Sequence, residues 1–291
     1  DFTRLGKLAF RWIACMAATM KHKTPIQLIA IDLDGTLLAD DGVVPALNIH
    51  ALQQAMAAGV LVVLATGKTR GSATAVIEQL DLKTPGVYCQ GLVLHCGDGS
   101  VWREETLDRE TAVDVITFVE AQQLPYLIYD GARILASSEN PYRHLLHKKY
   151  HEPLPELAGP LLPQVDDLRI NKFLISDERS NDETRARLET LVNGRATVTQ
   201  AVPEYIELLP HGTSKGKGLA LLLEKLGIPW EAVLALGDGE NDLEMLQLAG
   251  IGVAMGNAAP AVKAVADYIT LSNNEAGVAT AVTRFVPSPH E

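Results

Sequence analysis

The sequence predicts an α/β protein: a doubly wound parallel sheet interrupted by an inserted α+β module. Three observations carry that prediction. Four apolar runs, Leu28–Leu33, Val60–Ala65, Val87–Cys89 and Val233–Leu236, each end in small or polar residues. Stretches with apolar residues at helical spacing lie between them: "PALNIHALQQAMAAG", stopped by Gly59, and "SKGKGLALLLEKLGI", closed by Gly227. Strands that are apolar throughout belong to parallel sheets covered on both faces. From Gly91 to Pro203 the pattern changes to a mixture of helices such as "DRETAVDVITFVEAQQ" and short strands such as "LPYLIYD" and "RINKFLI". The expected organisation is therefore a core of residues 24–90 and 204–287, an inserted module of 91–203, and a leader or linker of 1–23.

The leader contains an apolar stretch from Leu8 to Met20, interrupted by Arg11. It is shorter than the roughly 20 residues a membrane span needs, and no small-residue cleavage pattern follows it. The closing "VPSPHE" reads as a frayed tail. The chain starts with Asp, as a piece of a longer product would.

With 291 residues, 47% of them hydrophobic, the chain can bury a sizeable core and form more than one domain. Its 25 basic and 36 acidic side chains give a formal charge of -11, with no basic stripe for nucleic acid. An anionic substrate stays open, because a bound cation and a few local lysines can reverse the field inside a cleft. Cys15, Cys89 and Cys96 form no CxxC and are odd in number, which argues for a reducing compartment and against a zinc or disulfide framework.

The chemistry collects where apolar runs end. In "IAIDLDGTLL", Asp32 and Asp34 are two residues apart, so on a strand they point the same way and repel. A lone D-x-D is ordinarily a solvated turn. Here a second cluster, "GDGENDLEML", supplies Asp238, Glu240, Asn241, Asp242 and Glu244 after another apolar run. On its own it would be a helix cap. Carboxylates converging from both ends make a hard-oxygen site of the kind Mg²⁺ takes, and a cation beside the pair removes the repulsion.

Two further stretches bring hydroxyls and ammonium groups. "ATGKTRGS" places Thr66 and Gly67 at a strand end, and "HGTSKGKG" places Lys215 and Lys217 at a helix start. Neither is a nucleotide-binding P-loop, since Val62 and His211 stand where its first glycine is required. What remains is a threonine hydroxyl and a lysine able to hold phosphoryl oxygens.

Together "DLDGTLL", "ATGK", "SKGKGL" and "GDGENDLEMLQLAGIGVAMGNA" resemble, in order and spacing, the four motifs of the haloacid dehalogenase superfamily, and within it the Cof-type phosphatases. The likeness runs from Ile26 to Val286. "PGVYCQGLVLHCGDGSV" and "SNNEAGVATAV" resemble most the plant and algal members appended to a plastid YbeY-type endoribonuclease. The resemblance implies a Rossmann-like core with a cap formed by 91–203, and an Mg²⁺-dependent phosphatase of a small phosphorylated metabolite. It implies Asp32 as nucleophile forming an aspartyl-phosphate and Asp34 as general acid and base. Asp32, the Asp34 carbonyl and Asp238 would hold Mg²⁺, with Asp242 in support. Thr66, Gly67 and Lys215 would hold the phosphoryl oxygens, and Asn241 would orient Lys215 or the phosphate. It further implies no nucleic acid or membrane partner for this domain, fusion to an N-terminal domain, and a plastid stromal or cytoplasmic setting.

Two positions depart from the family pattern: Lys68 stands where Arg is usual, and Gln90-Gly91 where Asn-Gly is common. Candidates for reading the substrate from the cap are Tyr129, Asp130, Arg133, Tyr142, Arg143 and His147, each with an ordinary packing or solvated alternative. Lys172, inside an apolar strand, reads as an edge or snorkelling residue. The rivals are a mutase or phosphotransferase on the same core, and a catalytically quiet module supporting a fused or partner RNase. The second requires loss of at least one of Asp32, Asp34, Lys215 and Asp238, and all four are present.

Overall fold

A computed structural model describes residues 24–202 and 204–286. The leader with Cys15, Pro203 and residues 287–291 lie outside the described residues. The strands, in chain order, are β1 (Leu28–Ile31), β2 (Leu61–Leu64), β3 (Gly86–Tyr88), β4 (Val93–His95), β5 (Val101–Glu104), β6 (Tyr126–Asp130) and β7 (Arg133–Ala136). They continue with β8 (Glu156–Leu157), β9 (Ile170–Ile175), β10 (Ala196–Val202), β11 (Tyr205–Pro210), β12 (Val233–Gly237), β13 (Ile251–Ala254) and β14 (Tyr268–Ile269).

A five-stranded sheet of order β14-β13-β12-β1-β2 forms the core, and all its pairings are parallel. Every residue of β1 and β12 is buried, which is why these runs carry no polar alternation. Helices cover both faces. Leu52 of helix Ala46–Ala57 and Val278 of helix Gly277–Phe285 pack on one side with Ile29 and Ile31. Leu219, Leu222 and Leu223 of helix Lys215–Leu226 pack on the other with Leu28 and Ala30.

The third apolar run departs from expectation. Gly86–Tyr88 pairs antiparallel with β4 in a three-stranded sheet, and only an isolated parallel bridge, Ala65 to Val87, ties it to the core strands. A run of three residues has too few ladder bonds to commit to one neighbour, and the hairpin partner β4 lies close in sequence.

The second large sheet has six strands, order β10-β11-β9-β6-β7-β8, antiparallel except between β7 and β8. Its two faces are set by alternation. Ile128, Phe173, Ile175, Ile206 and Leu208 face helices Arg109–Ala121 and Asn181–Val192 and form a separate core with them. Leu127, Tyr129, Leu174, Tyr205 and Leu209 face the other way. Sheet pairing carries β11 to Pro210, beyond the boundary at residue 203 drawn from sequence, because Glu207 in its middle masks an otherwise apolar strand.

Among the described residues, no helix is long and apolar enough to cross a membrane. Buried Asn48 clamps two core elements: its Oδ1 accepts the Ala279 N–H at 2.9 Å and its Nδ2 donates to the Leu37 carbonyl at 3.4 Å. Asn48→Ala strands both backbone groups, so urea unfolding should show a loss of about 1–3 kcal/mol.

Candidate active site

The in-phase pairing of Ile31 with Leu236 and with Leu64 aligns the carboxyl ends of β1, β12 and β2. The residues that follow, Asp32, Asp238 and Thr66, therefore reach one edge of the sheet, where open α/β sheets place their ligands. After Asp32 the chain turns through Gly35 at φ +75°, a conformation that disfavours any side chain. A Cβ there would also run into the Asp238 carboxylate. Thr36 Oγ1 donates to Asp238 Oδ1 at 2.9 Å, and Asn257 Nδ2 donates to the Gly35 carbonyl at 2.8 Å and to Asp238 Oδ2 at 3.3 Å.

Helix Lys215–Leu226 begins with Ser214 accepting the Lys217 N–H at 3.1 Å. Its periodicity turns Lys217 to solvent and buries Lys215 at 1% exposure. The Lys215 ammonium donates to Asp32 Oδ1 at 2.6 Å and to Asp242 Oδ1 at 2.8 Å. Burial alone would push this lysine down, but Asp242 and Asp32 more than offset it and hold it above the usual lysine range. Asp242 is fully buried, and its Oδ2 accepts the N–H groups of Asp238 and Gly239, each at 3.0 Å.

The acids feel the same site in the opposite sense. Burial raises Asp32 well above the usual carboxylate range; Lys215 opposes this, while Asp242, Asp238 and Asp34 reinforce it. Burial and then the Asp242 charge push Asp238 up to about 6. Asp34 is half-exposed and pairs with the Lys68 ammonium at 3.2 Å.

Oxygens of Asp32, Asp238 and Asp242 lie within 4.8 Å of one another. This all-oxygen donor set suits a hard divalent cation, and the missing Cβ of Gly35 leaves the Asp238 carboxylate open on that side. Asp242 is committed to Lys215 and two backbone N–H groups, Asp238 accepts from Thr36 and, at 3.3 Å, from Asn257, and Asp32 accepts from Lys215 on Oδ1.

A cleft of about 200 Å³ opens over these groups. Asp32, Asp34, Gly67, Lys215, Asp238 and Asn241 border it from the parallel-sheet side, and Tyr129, Lys172, Tyr205 and Glu207 from the six-stranded sheet. A larger cavity of about 860 Å³, bordered by Arg70, Trp102, Arg103 and Arg169, touches none of Asp32, Lys215 or Asp238.

Several sequence expectations need correction. Thr66 is fully buried, accepts the Lys68 N–H on Oγ1 at 3.1 Å, and is not among the cleft-lining residues. Asn241 donates to Gln90 Oε1 at 2.9 Å rather than to Lys215, whose ammonium is already taken by two carboxylates. Of the six cap candidates only Tyr129 borders the cleft. Asp130 and Arg133 pair with each other at a hairpin turn. Arg143 bonds Glu139 and the Pro155 carbonyl, His147 bonds the Glu152 carbonyl at 2.8 Å, and Tyr142 packs edge-on against Tyr205. Lys172 is not an edge residue: it is 3% exposed in a central strand, with its ammonium 3.2 Å from Glu207.

Sequence reasoning passed over Glu207 and Glu152, acids inside apolar or helix-end segments. Their only signal was a charge where packing wants none. Gln90, noted only as a departure, links the loop after β3 to Asn241 in the second acidic cluster.

Comparison with known proteins agrees with this geometry. A family model described as haloacid dehalogenase-like hydrolase matches residues 29–282. The chloroplastic endoribonuclease YBEY of Arabidopsis thaliana is 35% identical over 275 residues, covering 91% of this chain but only 47% of that protein. The chain thus spans about half of that relative. Phosphatase YwpJ of Bacillus subtilis is 31% identical over 280 residues, covering 87% of this chain and 98% of that one. The crystal structure of a haloacid dehalogenase-like hydrolase from Bacteroides thetaiotaomicron superposes with a TM-score of 0.81 at 31% identity, over 89% of this chain and 99% of that one. The chain belongs to the haloacid dehalogenase-like hydrolases, in their Cof-type phosphatase branch.

Because folding raises Asp238 to about 6, its contribution favours the fold below pH 4 and is lost as pH rises through about 6, and Asp32 is shifted in the same direction. A divalent cation that binds the ionised acids should recover that loss. Thermal unfolding with and without MgCl₂ should therefore show a larger stabilisation at pH 8 than at pH 5; equal shifts would contradict the assignment.

Proposed function

We propose that the protein is a Mg²⁺-dependent phosphomonoesterase that hydrolyses a small phosphorylated metabolite through a phosphoaspartate on Asp32. The observation that carries this reading is the meeting of Asp32, Asp238 and Asp242 around the buried Lys215 ammonium at one sheet edge. Asp32 and Asp238 would hold Mg²⁺, with the Asp34 carbonyl as a further donor; the ion supplies positive charge against the phosphoryl oxygens and the nucleophile.

Lys215 opposes the rise that burial imposes on Asp32 and anchors it, then shares its charge with the phosphoryl oxygens as they approach. The freed Asp32 oxygen attacks phosphorus. The ester P–O bond breaks, its electron pair stays on the leaving oxygen, and Asp34 delivers the proton that oxygen needs. Asp34 then takes a proton from water as that water attacks phosphorus, the P–O bond to Asp32 breaks, and inorganic phosphate leaves. Asp34 borders the cleft, half-exposed and 3.2 Å from the Lys68 ammonium. Gly67, which borders the cleft, supplies the opposite wall of the phosphoryl site.

Residues 91–203, with β11, act as a cap in this reading. The polar contacts crossing the cleft hold it shut over the reacting groups and exclude bulk water. The coverage of about half of the Arabidopsis relative supports a setting in which the chain works as one domain of a longer plastid protein.

Asp32→Asn should lower kcat for phosphate release by at least about a thousandfold while leaving circular dichroism and the unfolding midpoint near those of the parent. Full activity in this variant would remove Asp32 as the nucleophile. Chelation by EDTA should abolish turnover, and MgCl₂ should restore it.

A further inference from the structure

We infer that Lys172 and Glu207 are a specificity-determining pair that reads hydroxyl groups on a short polyol leaving group; this rests on the phosphatase reading above. Strand alternation puts both on the face of the six-stranded sheet that looks toward Asp32. Lys172 lies opposite Tyr129, and Glu207 opposite Leu174 two residues further along β9. Tyr129, Lys172, Leu174, Tyr205 and Glu207 all border the cleft, and the pair supplies the only charges these strands place there among the described residues.

Packing does not explain the pair. Lys172 and Glu207 are 3% and 4% exposed, inside strands otherwise made almost wholly of apolar residues. A buried ion pair is often no more stabilising than two apolar side chains of the same volume, because each charge loses its hydration. Lys172 is held firmly: its ammonium sits 3.2 Å from Glu207 Oε2, 3.3 Å from the Gly67 carbonyl and 4.4 Å from the Tyr129 ring centre. Glu207 is held on one oxygen only. Its Oε1 has no protein donor among the described residues, and Glu207 borders the cleft. An oriented carboxylate oxygen with an ammonium beside it accepts from one hydroxyl and donates to the next, the pattern that neighbouring hydroxyls on a carbon chain satisfy.

Size points the same way. The cleft measures about 200 Å³ and must also house the phosphoryl group. Pockets for drug-sized ligands run to roughly 300–1,000 Å³. The remainder is sized for a short polyol, whereas a flavin or a nucleobase with its ribose would extend out of the cleft or need it to widen. An ester without hydroxyls would leave the buried Glu207 oxygen unpaired, and buried polar groups built to bond a substrate discriminate strongly against analogues that leave them so.

The test compares a hexose monophosphate, glycerol phosphate, p-nitrophenyl phosphate and flavin mononucleotide under Mg²⁺. The parent should show higher kcat/KM for the hydroxylated esters than for the aryl ester, and least for the flavin. Lys172→Met and Glu207→Gln should each cut the polyol-to-aryl ratio at least tenfold, mainly through KM. Glu207→Gln preserves side-chain volume, and the double variant Lys172→Met/Glu207→Leu removes both charges together should either single variant fold poorly. A ratio unmoved in these variants, or a parent preference for the flavin, overturns the inference.

Calorimetric binding of the hexose monophosphate to Asp32→Asn, with and without Glu207→Gln, separates this from the hydrolysis reading. A tenfold weakening supports the pair even if the parent releases no phosphate, and equal affinity overturns it.

Discussion

Like charges crowd one strand end in this protein, and a single buried ammonium makes that arrangement tolerable. Asp32, Asp238 and Asp242 converge within a few ångströms, and among the described residues Lys215 is the cation placed among them, bonded to Asp32 and Asp242. Removing the Lys215 ammonium from such a set would strand uncompensated carboxylates in a dry environment, which is far more costly than never having the set. The surrounding backbone is arranged to serve it. Asp242 spends its second oxygen on the N–H groups of residues 238 and 239, so the same carboxylate that holds the lysine also shapes the loop carrying Asp238. Gly35 lets the chain turn beside the Asp238 carboxylate where any side chain would collide.

The second sheet completes the site from the other side by having two different faces. One face closes an ordinary apolar core with its helices; the other presents tyrosines, Lys172 and Glu207 to the cleft. Three polar contacts from one short core segment reach across. Lys172 donates to the Gly67 carbonyl, Lys68 to the Tyr150 carbonyl, and Ser72 to buried Glu152. Gly67 and Lys68 both border the cleft, so the segment that follows β2 lines the cleft and also carries contacts to the six-stranded sheet and its connections. Lys68 also reaches Asp34, so the lysine that replaces the usual arginine contributes to both the acid and the cap.

The loop after β3 ties these parts together under strain. Cys89, Gln90 and Gly91 take φ values of 50°, 62° and 93° in succession, and only the last is a glycine. Left-handed backbone at two ordinary residues has an energetic cost, and it persists where surroundings over-determine it. Here the Gln90 side chain bonds Asn241, and Gly91 packs so closely on the Ser214 carbonyl that no side chain would fit. Gln in place of the more common Asn keeps the amide but lengthens its reach.

What the sequence determined by itself was local and periodic. Apolar runs without alternation meant a parallel sheet, helical spacing closed by Gly59 and Gly227 meant covering helices, and acids at the ends of two such runs meant a hard-oxygen site at the sheet edge. Those signals are carried by neighbouring residues, so the gathering of Asp32, Asp238 and Asp242 at one sheet edge was expected from sequence, while Lys215 was separated from Lys217 only by the family resemblance. The tertiary structure alone decided which sheet the third apolar run and β11 join, which partner each side chain takes, and which residues face the cleft. Lys172 looked like an edge residue and Glu207 like nothing at all, because a strand's sequence shows that its side chains alternate but not what stands opposite either face. That opposite surface is supplied by residues far away in the chain, and only folding brings it into contact.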